Sequence, residues 1–307
     1  MSRPAPIALF AYNRPHHTRM CVESLLRNPQ AAQSDLFVFC DGWKGPDDKP
    51  QVLKVRKYAR HISGFKSVTV SESPANRGLA RSVIAGVTEV VNRFGRIIVV
   101  EDDLLFSPHF LEFMNRALDI FENDENVGNV HGHLFRMHGL PDTFLISHAD
   151  SWGWATWKRA WQLFEPSGAK LLDALRSRNL LRTFDFDGAY PFSEMLKKQI
   201  AGKNNSWAIR WKASLLINGM LSVNAGKSLV ANNGFDETGI NCGGGELLPT
   251  DLYEGDIECF HPGSITENAE ARRSFKRMYR RYYNKFHKAL VKARFIVNKM
   301  KHKTCKP

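Results

Sequence analysis

The sequence predicts an α/β protein whose central sheet is mixed and mainly parallel. Four short apolar runs in the first 125 residues each end in polar residues, and stretches of about 20 residues with helical periodicity separate them. Strands that are joined by helical crossovers pair in parallel and are buried on both faces. The four predicted strands are PIALFAYN, LFVFCDG, SVTVSES and RIIVVEDD.

Polar side chains follow each of these strands. In open parallel sheets, ligands bind in the crevice at the carboxyl ends of the strands. We therefore expect one edge of the sheet to carry the chemistry of the protein. The side chains at the predicted strand ends are Asn13, Arg14, Asp41, Glu72 and the acidic cluster Glu101, Asp102 and Asp103.

The acidic cluster directly follows the fourth strand and allows two interpretations. Adjacent carboxylates repel one another, and they need a cation or N–H donors when they leave an apolar environment. In one interpretation Asp103 caps a helix that begins near Ser107 and Pro108. In the other the cluster is a metal and phosphate site, because Mg²⁺ and Mn²⁺ bind carboxylate oxygen and bridge to substrate phosphates.

Two common phosphate-binding motifs are missing. A dinucleotide fold would place GxGxxG after the first strand, where FAYNRPHH has no glycine. The segment NAGKSLV resembles part of a P-loop, but Leu221 stands where the first glycine is required. A phosphate would then be held by a metal ion and by side chains such as Arg14. An acidic strand end without a P-loop indicates sugar transfer from a nucleoside diphosphate.

The composition is that of an ordinary globular chain, with 43% hydrophobic and 24% charged residues among 307. No apolar run approaches the roughly 18 residues of a membrane span, and the N-terminus lacks the layout of a signal peptide. The five cysteines, Cys21, Cys40, Cys242, Cys259 and Cys305, show no CxxC spacing that would indicate a zinc site, and their odd number argues against a disulfide framework. We therefore expect a cytoplasmic protein with reduced thiols.

The net charge of +12 is concentrated near the C-terminus. Fourteen Lys or Arg and no acidic residue follow from position 272, so a domain over residues 1–268 would precede a basic tail over 269–307. A basic amphipathic helix with aromatic anchors fits an anionic membrane surface, which would place the protein on the inner face of the cell membrane. A helix packed on the body and a nucleic-acid arm are the alternatives. The apolar positions of the tail are Phe275, Met278, Tyr279, Tyr282, Phe286 and Leu290.

An ordered series of motifs resembles the GT-A-fold glycosyltransferases. PIALFAYNRP, CDG, NRGLARSVIAGV, VVEDDLLFSPHFLEFMNRAL and SWGWATWKRAW follow one another within roughly residues 5–242. They are similar to bacterial family 2-like enzymes related to the N-acetylglucosaminyltransferase I group. The resemblance implies a nucleotide-binding half over residues 1–125 and an acceptor half over 126–268. It also implies metal-dependent, inverting transfer from a UDP-sugar to an acceptor hydroxyl in surface polysaccharide or glycolipid synthesis, with UDP-N-acetylglucosamine as the donor by analogy.

The resemblance assigns roles to residues around the donor. The acidic cluster takes the place of the DXD motif, so Asp103 would bind Mn²⁺ or Mg²⁺, while Glu101 and Asp102 would face the donor sugar and ribose. Asp41 would accept a hydrogen bond from the base, and Arg14 would contact the nucleotide. The helix that opens with Asn76 and Arg77 would line the donor site, although a capped surface helix explains Arg77, or Arg81 one turn later, equally well.

Gly153 and Trp154 match the Gly-Trp element that the family places beside the acceptor. The spacing of Trp154, Trp157 and Trp161 is helical, so these indoles also fit a packed core. Two histidines, His131 and His133, would lie on one face of a predicted strand, where they would bind a metal or form a polar face.

An inverting transfer also needs a general base for the acceptor hydroxyl. Related sequences carry Trp-Asp where this chain has SWAIRW, which places Ala208 at the expected position. Asp187 is then the first candidate, followed by Asp185 and Glu194, with a helix cap as the alternative role of Asp187. Asn241 stands where many relatives carry a histidine, and Asn suits Mg²⁺ better than a transition metal.

Two other functions share part of this pattern. A nucleotidyltransferase acting on sugar phosphates would use the same sheet and acidic site, but FAYNRPHHTR lacks the Gly- and Lys-rich loop expected after its first strand. A non-catalytic membrane or nucleic-acid-binding protein would explain the basic tail but not the carboxylates. The predicted partners are therefore a nucleotide-sugar donor, a glycan or lipid-linked acceptor and an anionic membrane surface, with no specific nucleic acid.

Overall fold

Strands and helices alternate through the first third of the molecule. The structure is a computed structural model, and it describes residues 3–234 and 250–283. Each of the four predicted strands is present, and a helix lies between each pair. In chain order the elements are β1 Ile7–Ala11, α1 Pro15–Leu26, a short 3₁₀ helix Pro29–Gln33, β2 Asp35–Cys40, α2 Lys49–Ala59, β3 Ser67–Glu72, α3 Leu79–Phe94 and β4 Arg96–Glu101.

The remaining elements are shorter and more varied. A small two-stranded sheet, β5 with β10, lies beside the main sheet, and helices α6 to α9 form a separate helical layer. In chain order the elements are β5 Leu104–Phe106, α4 Phe110–Ile120, β6 Val127–His131, β7 Thr143–Ile146, β8 Trp154–Trp157, α5 Lys158–Trp161, α6 Gly168–Ser177, α7 Leu181–Phe184, α8 Phe192–Ile200, α9 Trp207–Ile217, β9 Leu221–Ala225, β10 Val230–Asn232 and α10 Ala269–Tyr283.

The main sheet has eight strands in the order β3-β2-β1-β4-β8-β6-β9-β7. Strands β1 to β4 pair in parallel, and β6 pairs in parallel with β9. Strand β8 runs antiparallel to both β4 and β6, and β7 runs antiparallel to β9. The predicted class, an α/β protein with a mixed and mainly parallel sheet, is confirmed.

Helices cover both faces of the parallel strands. On one face, α1 and α4 pack against β1 and β4. On the other, α3 buries one side of its surface, and a Cβ at Gly86 would lie 2.7 Å from the Phe10 ring, so glycine allows the helix to approach the sheet closely. Each fully buried Val or Leu contributes roughly 1.5–3 kcal/mol. The buried apolar positions of α3 follow helical spacing: Ala80, Val83, Val87, Val90 and Val91.

The strand register aligns the carboxyl ends of the parallel strands at one edge. Phe10 pairs with Glu101 across β1 and β4, and Ala11 pairs with Cys40 across β1 and β2. Cys40 in turn pairs with Glu72 on β3. The polar residues that follow these strands therefore lie at the same edge of the sheet, as the sequence predicted.

The tryptophans of SWGWATWKRAW do not form a single helical stripe. Trp154 and Trp157 lie in strand β8, and Trp161 ends the short helix α5. Residues three apart in a strand face opposite sides, so Trp154 packs in the layer of α3 and α9 while Trp157 packs toward α4. All three indoles are buried, as expected for core residues.

The first part of the predicted basic tail belongs to the folded body. Asn268 joins α10 to the sheet, because its N–H bonds to the Leu145 carbonyl and its side chain caps the Ala271 N–H at 2.8 Å. Phe275 and Tyr279, two predicted membrane anchors, are buried with Ala271 in the core of the helical layer. The boundary expected after residue 268 therefore does not separate two units over residues 269–283.

Of the other predicted anchors, Met278 is partly buried against the same core. The side chain of Tyr282 and all of Phe286 and Leu290 lie outside what the structure describes, as do Cys242 and Cys305. Cys21, Cys40 and Cys259 are buried free thiols. Over residues 3–234 and 250–283, none of the helices has the length and apolar character needed to cross a membrane.

The packing of α10 can be tested with Phe275→Ala. Because Phe275 is 2% exposed, its truncation leaves a cavity and should lower the free energy of unfolding by about 3–5 kcal/mol in urea titrations. Arg280→Ala is the matched control on the exposed side of the same helix and should change stability by less than about 0.5 kcal/mol. Equal stability of both variants would show that α10 does not pack on the body.

Candidate active site

The acidic cluster forms a tight turn between β4 and β5. Asp102 points back toward β1, where its Oδ2 accepts the Tyr12 N–H at 3.1 Å and the Thr18 hydroxyl at 3.4 Å. Burial and the adjacent charge of Asp103 raise the pKa of Asp102 to about 7. Asp102 thus ties the end of β4 to the end of β1 and to helix α1.

Asp103 does not cap a helix. Strand β5 follows it, and the helix after β5 begins only at Phe110, where the Ser107 carbonyl accepts the Phe110 N–H. The helix-cap interpretation of the cluster is therefore wrong. The Asp103 carbonyl instead accepts the Asn233 N–H at 2.8 Å, which brings the end of β10 against the cluster.

The Asp103 carboxylate lies between a guanidinium and a glycine. Its Oδ2 is 3.3 Å from Nη1 of Arg14, whose Nη2 is 2.9 Å from the His17 ring and donates to the Gly234 carbonyl at 3.4 Å. A Cβ at Gly234 would overlap Oδ2 of Asp103 and lie 2.9 Å from both Nη1 of Arg14 and Oδ1 of Asn232. Gly234 thus packs closely against this carboxylate, where a larger residue would clash.

Glu101 is a buried carboxylate on which three other carboxylates act. Burial, followed by the charges of Asp103, Asp102 and Asp150, raises the pKa of Glu101 well above its ordinary value. Asp150, whose charge contributes to this pKa, is a fourth carboxylate near Glu101 that was not predicted from the sequence. Its position follows from the sheet, because β8 runs antiparallel to β4 and the residues before Trp154 lie at the carboxyl edge.

Asp41 organises a loop between β3 and α3. Its Oδ1 accepts the N–H groups of Gly42 and Arg77 at 2.8 Å, and its Oδ2 accepts the Gly78 N–H at 2.9 Å and the Asn76 amide at 3.2 Å. These four donors occupy the acceptor sites of the carboxylate. Asp41 therefore fixes the loop, and direct contact with a nucleotide base stays a prediction.

The side chains of this loop divide into two roles. Asn76 faces inward, donating to Asp41 and to the Gly42 carbonyl at 2.8 Å. Arg77 is bound through its backbone, while its guanidinium is exposed and makes no hydrogen bond or ion pair within the described residues. Arg77 is thus positioned to meet an anion, but the structure shows no partner for it among those residues.

The loop can be tested with Gly42→Ala. An added Cβ would meet the backbone of Ala75 and Asn76, at 2.7 Å from the Ala75 oxygen, and this backbone has little freedom to move. We expect Gly42→Ala to lower stability by about 1–3 kcal/mol and to weaken nucleotide binding, as measured by thermal unfolding with and without UDP. Gly45→Ala is the control, because nothing lies within 4 Å of its added Cβ. Equal behaviour of the two variants would contradict this reading.

The Gly-Trp element contributes through packing. Gly153 has a φ of 63°, and a Cβ there would lie 2.7 Å from Val230, so glycine is required by both conformation and space. Trp154 is 0% exposed and stacks on Trp207 with ring centroids 5.2 Å apart. Its indole therefore has no free face for a sugar, which corrects the expectation of direct contact. Trp152, which sequence reasoning passed over, is the partly exposed indole of this segment.

A carboxylate, an imidazole and a hydroxyl lie in line beside the cluster. Oδ2 of Asp150 is 2.7 Å from Nδ1 of His133, and Nε2 of His133 is 3.1 Å from the Thr250 hydroxyl. The charge of His133 lowers the pKa of Asp150 against the opposing effect of burial. The Trp152 ring lies 4.5 Å from the His133 ring. The sequence pattern that could have predicted this arrangement is HGH at the end of β6 together with HADSWGW before the neighbouring strand β8.

The three predicted general bases are engaged elsewhere. Asp187 pairs with Lys276 at 3.1 Å and Arg272 at 3.5 Å, and these cations lower its pKa. Asp185 accepts the N–H and the hydroxyl of Ser193 at the start of α8. Glu194 pairs with Lys197 on the exposed side of α8. The structure therefore does not bring these residues into contact with the acidic cluster.

A buried polar chain lies behind the segment that carries Asp150. Nζ of Lys212 is 2.5 Å from Nδ1 of His148, and Nε2 of His148 is 3.1 Å from the Tyr279 hydroxyl on α10. Burial lowers the pKa of Lys212 and of His148 well below their ordinary values. His148 also bonds through its carbonyl to the His131 ring at 3.2 Å, so this histidine is a structural residue.

The protein by itself offers few metal ligands. Within residues 3–234 and 250–283, no group of three or more His, Cys, Asp or Glu side chains is arranged to hold a metal ion. His131 and His133 are both hydrogen-bonded to protein groups. Asn241, the predicted substitute for a histidine ligand, lies outside the described residues.

Comparison with known proteins gives one sequence match. Residues 1–133 match the GNT-I family, which is less than half of the chain but includes β1 to β6 and the acidic cluster. The match supports a glycosyltransferase. No curated protein sequence shows significant similarity to the chain.

Several solved structures show distant similarity. TarS of S. aureus is 13% identical, covering 44% of this chain and 23% of that chain with a TM-score of 0.32. Residues 1–349 of TarS are 12% identical, covering 52% and 48% with a TM-score of 0.36. The mannosyltransferase PcManGT from Pyrobaculum calidifontis, in complex with GDP-Man and Mn²⁺, is 13% identical, covering 71% and 70% with a TM-score of 0.39. The chain spans less than half the length of both TarS structures.

Proposed function

We propose that the protein transfers a sugar from a nucleoside diphosphate donor to an acceptor hydroxyl with inversion. The observation that carries the proposal is Asp103, whose side chain is 20% exposed and lies beside Arg14 at the carboxyl edge of a parallel sheet. Ligands of such sheets bind at this edge. The match of residues 1–133 to the GNT-I family supports the same reaction class.

The residues at this edge fit Mn²⁺ or Mg²⁺. Asp103 is the proposed direct ligand, and its carboxylate oxygen is the type of ligand that hard cations prefer. Such ions are commonly held by one or two carboxylates together with substrate phosphates and water, which agrees with the small number of protein ligands. When bound, the ion would act as a Lewis acid that stabilises negative charge on the departing diphosphate.

The surrounding residues position the donor. Arg14 supplies a guanidinium that can pair with a phosphate oxygen. Asp41 holds the loop of Asn76 and Arg77, which we propose borders the nucleotide, and Glu101 and Asp102 would face the sugar and ribose. As the acceptor oxygen bonds to the anomeric carbon, the bond from that carbon to the diphosphate oxygen breaks and its electron pair leaves with the diphosphate. UDP-N-acetylglucosamine is the donor that we propose by analogy.

The acceptor is proposed to be a surface polysaccharide or a lipid-linked glycan, with the protein on the inner face of the cell membrane. Because Phe275 and Tyr279 are buried, membrane attraction over residues 269–283 would be electrostatic rather than an insertion of these rings. Four arginines face solvent on α10 and would provide this attraction: Arg273, Arg277, Arg280 and Arg281.

Asp103→Asn tests the proposal. Replacing one carboxylate oxygen by an amide removes charge and a metal ligand, so we expect release of nucleoside diphosphate from UDP- and GDP-sugars with Mn²⁺ to fall by at least about 100-fold. Binding of UDP should lose its dependence on Mn²⁺ in calorimetric titrations.

Asp173→Asn, an exposed carboxylate on α6, is the matched control and should retain full activity. Asp103→Asn with unchanged turnover, or wild-type activity that survives EDTA, would contradict the metal role. Release of pyrophosphate from nucleoside triphosphate and sugar phosphate would favour a nucleotidyltransferase instead.

Gly234→Ala tests the space beside Asp103. Its added methyl group would overlap Oδ2 of Asp103 and crowd Nη1 of Arg14, so the proposed metal ligand would be displaced. We expect affinity for UDP with Mn²⁺ to fall by at least about tenfold while the melting temperature changes little. Unchanged affinity would show that this space is not used by the ligand.

A further inference from the structure

Asp150 lies at the edge of the sheet that carries the acidic cluster. It lies in the segment before β8, which reaches the carboxyl edge because β8 runs antiparallel to β4, and its charge acts on Glu101. Its side chain is 18% exposed, so one part of the carboxylate can meet a substrate while the rest is fixed. Asp41, at the same edge, has its acceptor sites occupied by four donors of its own loop, whereas Asp150 accepts only two of the protein hydrogen bonds described here.

We propose that Asp150 is the general base that accepts the proton of the acceptor hydroxyl, an inference that rests on the proposed sugar transfer. Ala208, at the position where related sequences carry Asp, has no group that can accept a proton. Asp187, Asp185 and Glu194 bind cations or a helix start elsewhere. Asp150, in the segment before β8, would supply the base in place of these residues.

Two hydrogen bonds hold the Asp150 carboxylate in place. Oδ2 bonds to Nδ1 of His133, and Oδ1 accepts the Ser151 N–H at 2.6 Å. Each oxygen accepts one protein donor, which leaves a lone pair on each for a proton from the substrate. His133 is a positioning residue, since its side chain is 0% exposed and reaches the acceptor only through Asp150.

The proton balance of the step is simple. The acceptor oxygen forms a bond to the anomeric carbon, and its proton moves to an oxygen of Asp150. The bond between the anomeric carbon and the diphosphate breaks, and the diphosphate leaves with the electron pair. Because the hydroxyl becomes strongly acidic only as the new bond forms, a carboxylate that is kept ionised by His133 suffices as the base.

Trp152 gives the acceptor a surface beside this base. Its indole is partly exposed and contacts the ring of His133, the residue that holds Asp150. Indole faces pack well on the apolar face of a sugar ring. The acceptor would therefore be a sugar hydroxyl that stacks near Trp152 while its proton points to Asp150.

Asp150→Ala with azide is the decisive experiment. The probe reaction is release of nucleoside diphosphate from UDP- and GDP-sugars with Mn²⁺, in which water replaces the acceptor. We expect Asp150→Ala to lower this rate by at least about 100-fold while UDP affinity stays within about threefold. Sodium azide needs no deprotonation and fits the space left by the carboxylate, so it should restore the rate and yield a glycosyl azide of inverted configuration.

Three variants separate the possible outcomes. Azide should not rescue Asp103→Asn, because departure of the diphosphate is impaired there, and Asp173→Ala should match the wild type. Full activity of Asp150→Ala, or its loss without azide rescue in a protein of unchanged melting temperature, would overturn the role of Asp150 alone. A wild-type protein that turns over no nucleotide sugar would instead overturn the proposed function, and this inference with it.

His133→Gln tests the positioning role. The titratable or charged groups that act on Asp150 or respond to its charge are Glu101, His131, His133, His148 and Lys212. His133 lowers the pKa of Asp150 through its hydrogen bond and its electrostatic effect, so without this ring the base should become protonated at a higher pH. In a plot of the rate of nucleoside diphosphate release against pH, the acidic limb should then move to higher pH, while the affinity for UDP stays unchanged. An unmoved limb would show that His133 does not act through Asp150.

Discussion

Repulsion among carboxylates at the end of β4 is the constraint around which the site is arranged. Burial and mutual repulsion raise the pKa values of Glu101 and Asp102, so the folded protein carries an unfavourable concentration of negative charge there. Arg14 offsets part of this charge through Asp103, and the Tyr12 N–H and the Thr18 hydroxyl offset another part through Asp102. Such a concentration of charge is costly to keep in a fold unless cations or hydrogen-bond donors offset it.

The sheet makes this concentration possible without distorting the fold. Parallel strands β1 to β4 end in one row, and the antiparallel strand β8 begins beside them. Each strand needs to contribute only one or two polar residues after a buried apolar stretch. Strand β10 reaches Asp103 through its pairing with β5, and the direction of β8 brings Asp150 close enough for its charge to act on Glu101. Residues distant in sequence therefore meet at a single edge.

The sequence was informative where a short pattern determines the structure. Alternation of apolar runs and helical stretches was sufficient to predict β1 to β4, and the polar strand ends predicted the edge that carries Asp41 and Asp103. It was less informative where tertiary packing decides, as at Trp154, whose helical spacing gave no sign of a strand. Asp187 was chosen by its order along the chain, but its partners Arg272 and Lys276 come from a helix about 85 residues later. Asp150 was missed because only the antiparallel direction of β8 places it beside the cluster.

Helix α10, at the end of the described chain, also supports the site. Tyr279 bonds to His148, which bonds to Lys212, and the three side chains are buried behind the segment that leads to Asp150. A neutral Lys212 and a neutral His148 are favoured in this environment, because burial penalises either charge. Two neutral groups can satisfy each other through a single hydrogen bond, whereas two cations at this distance would repel strongly. The polar chain therefore fixes the segment of Asp150 from behind without adding charge to a site whose electrostatics are already dominated by carboxylates.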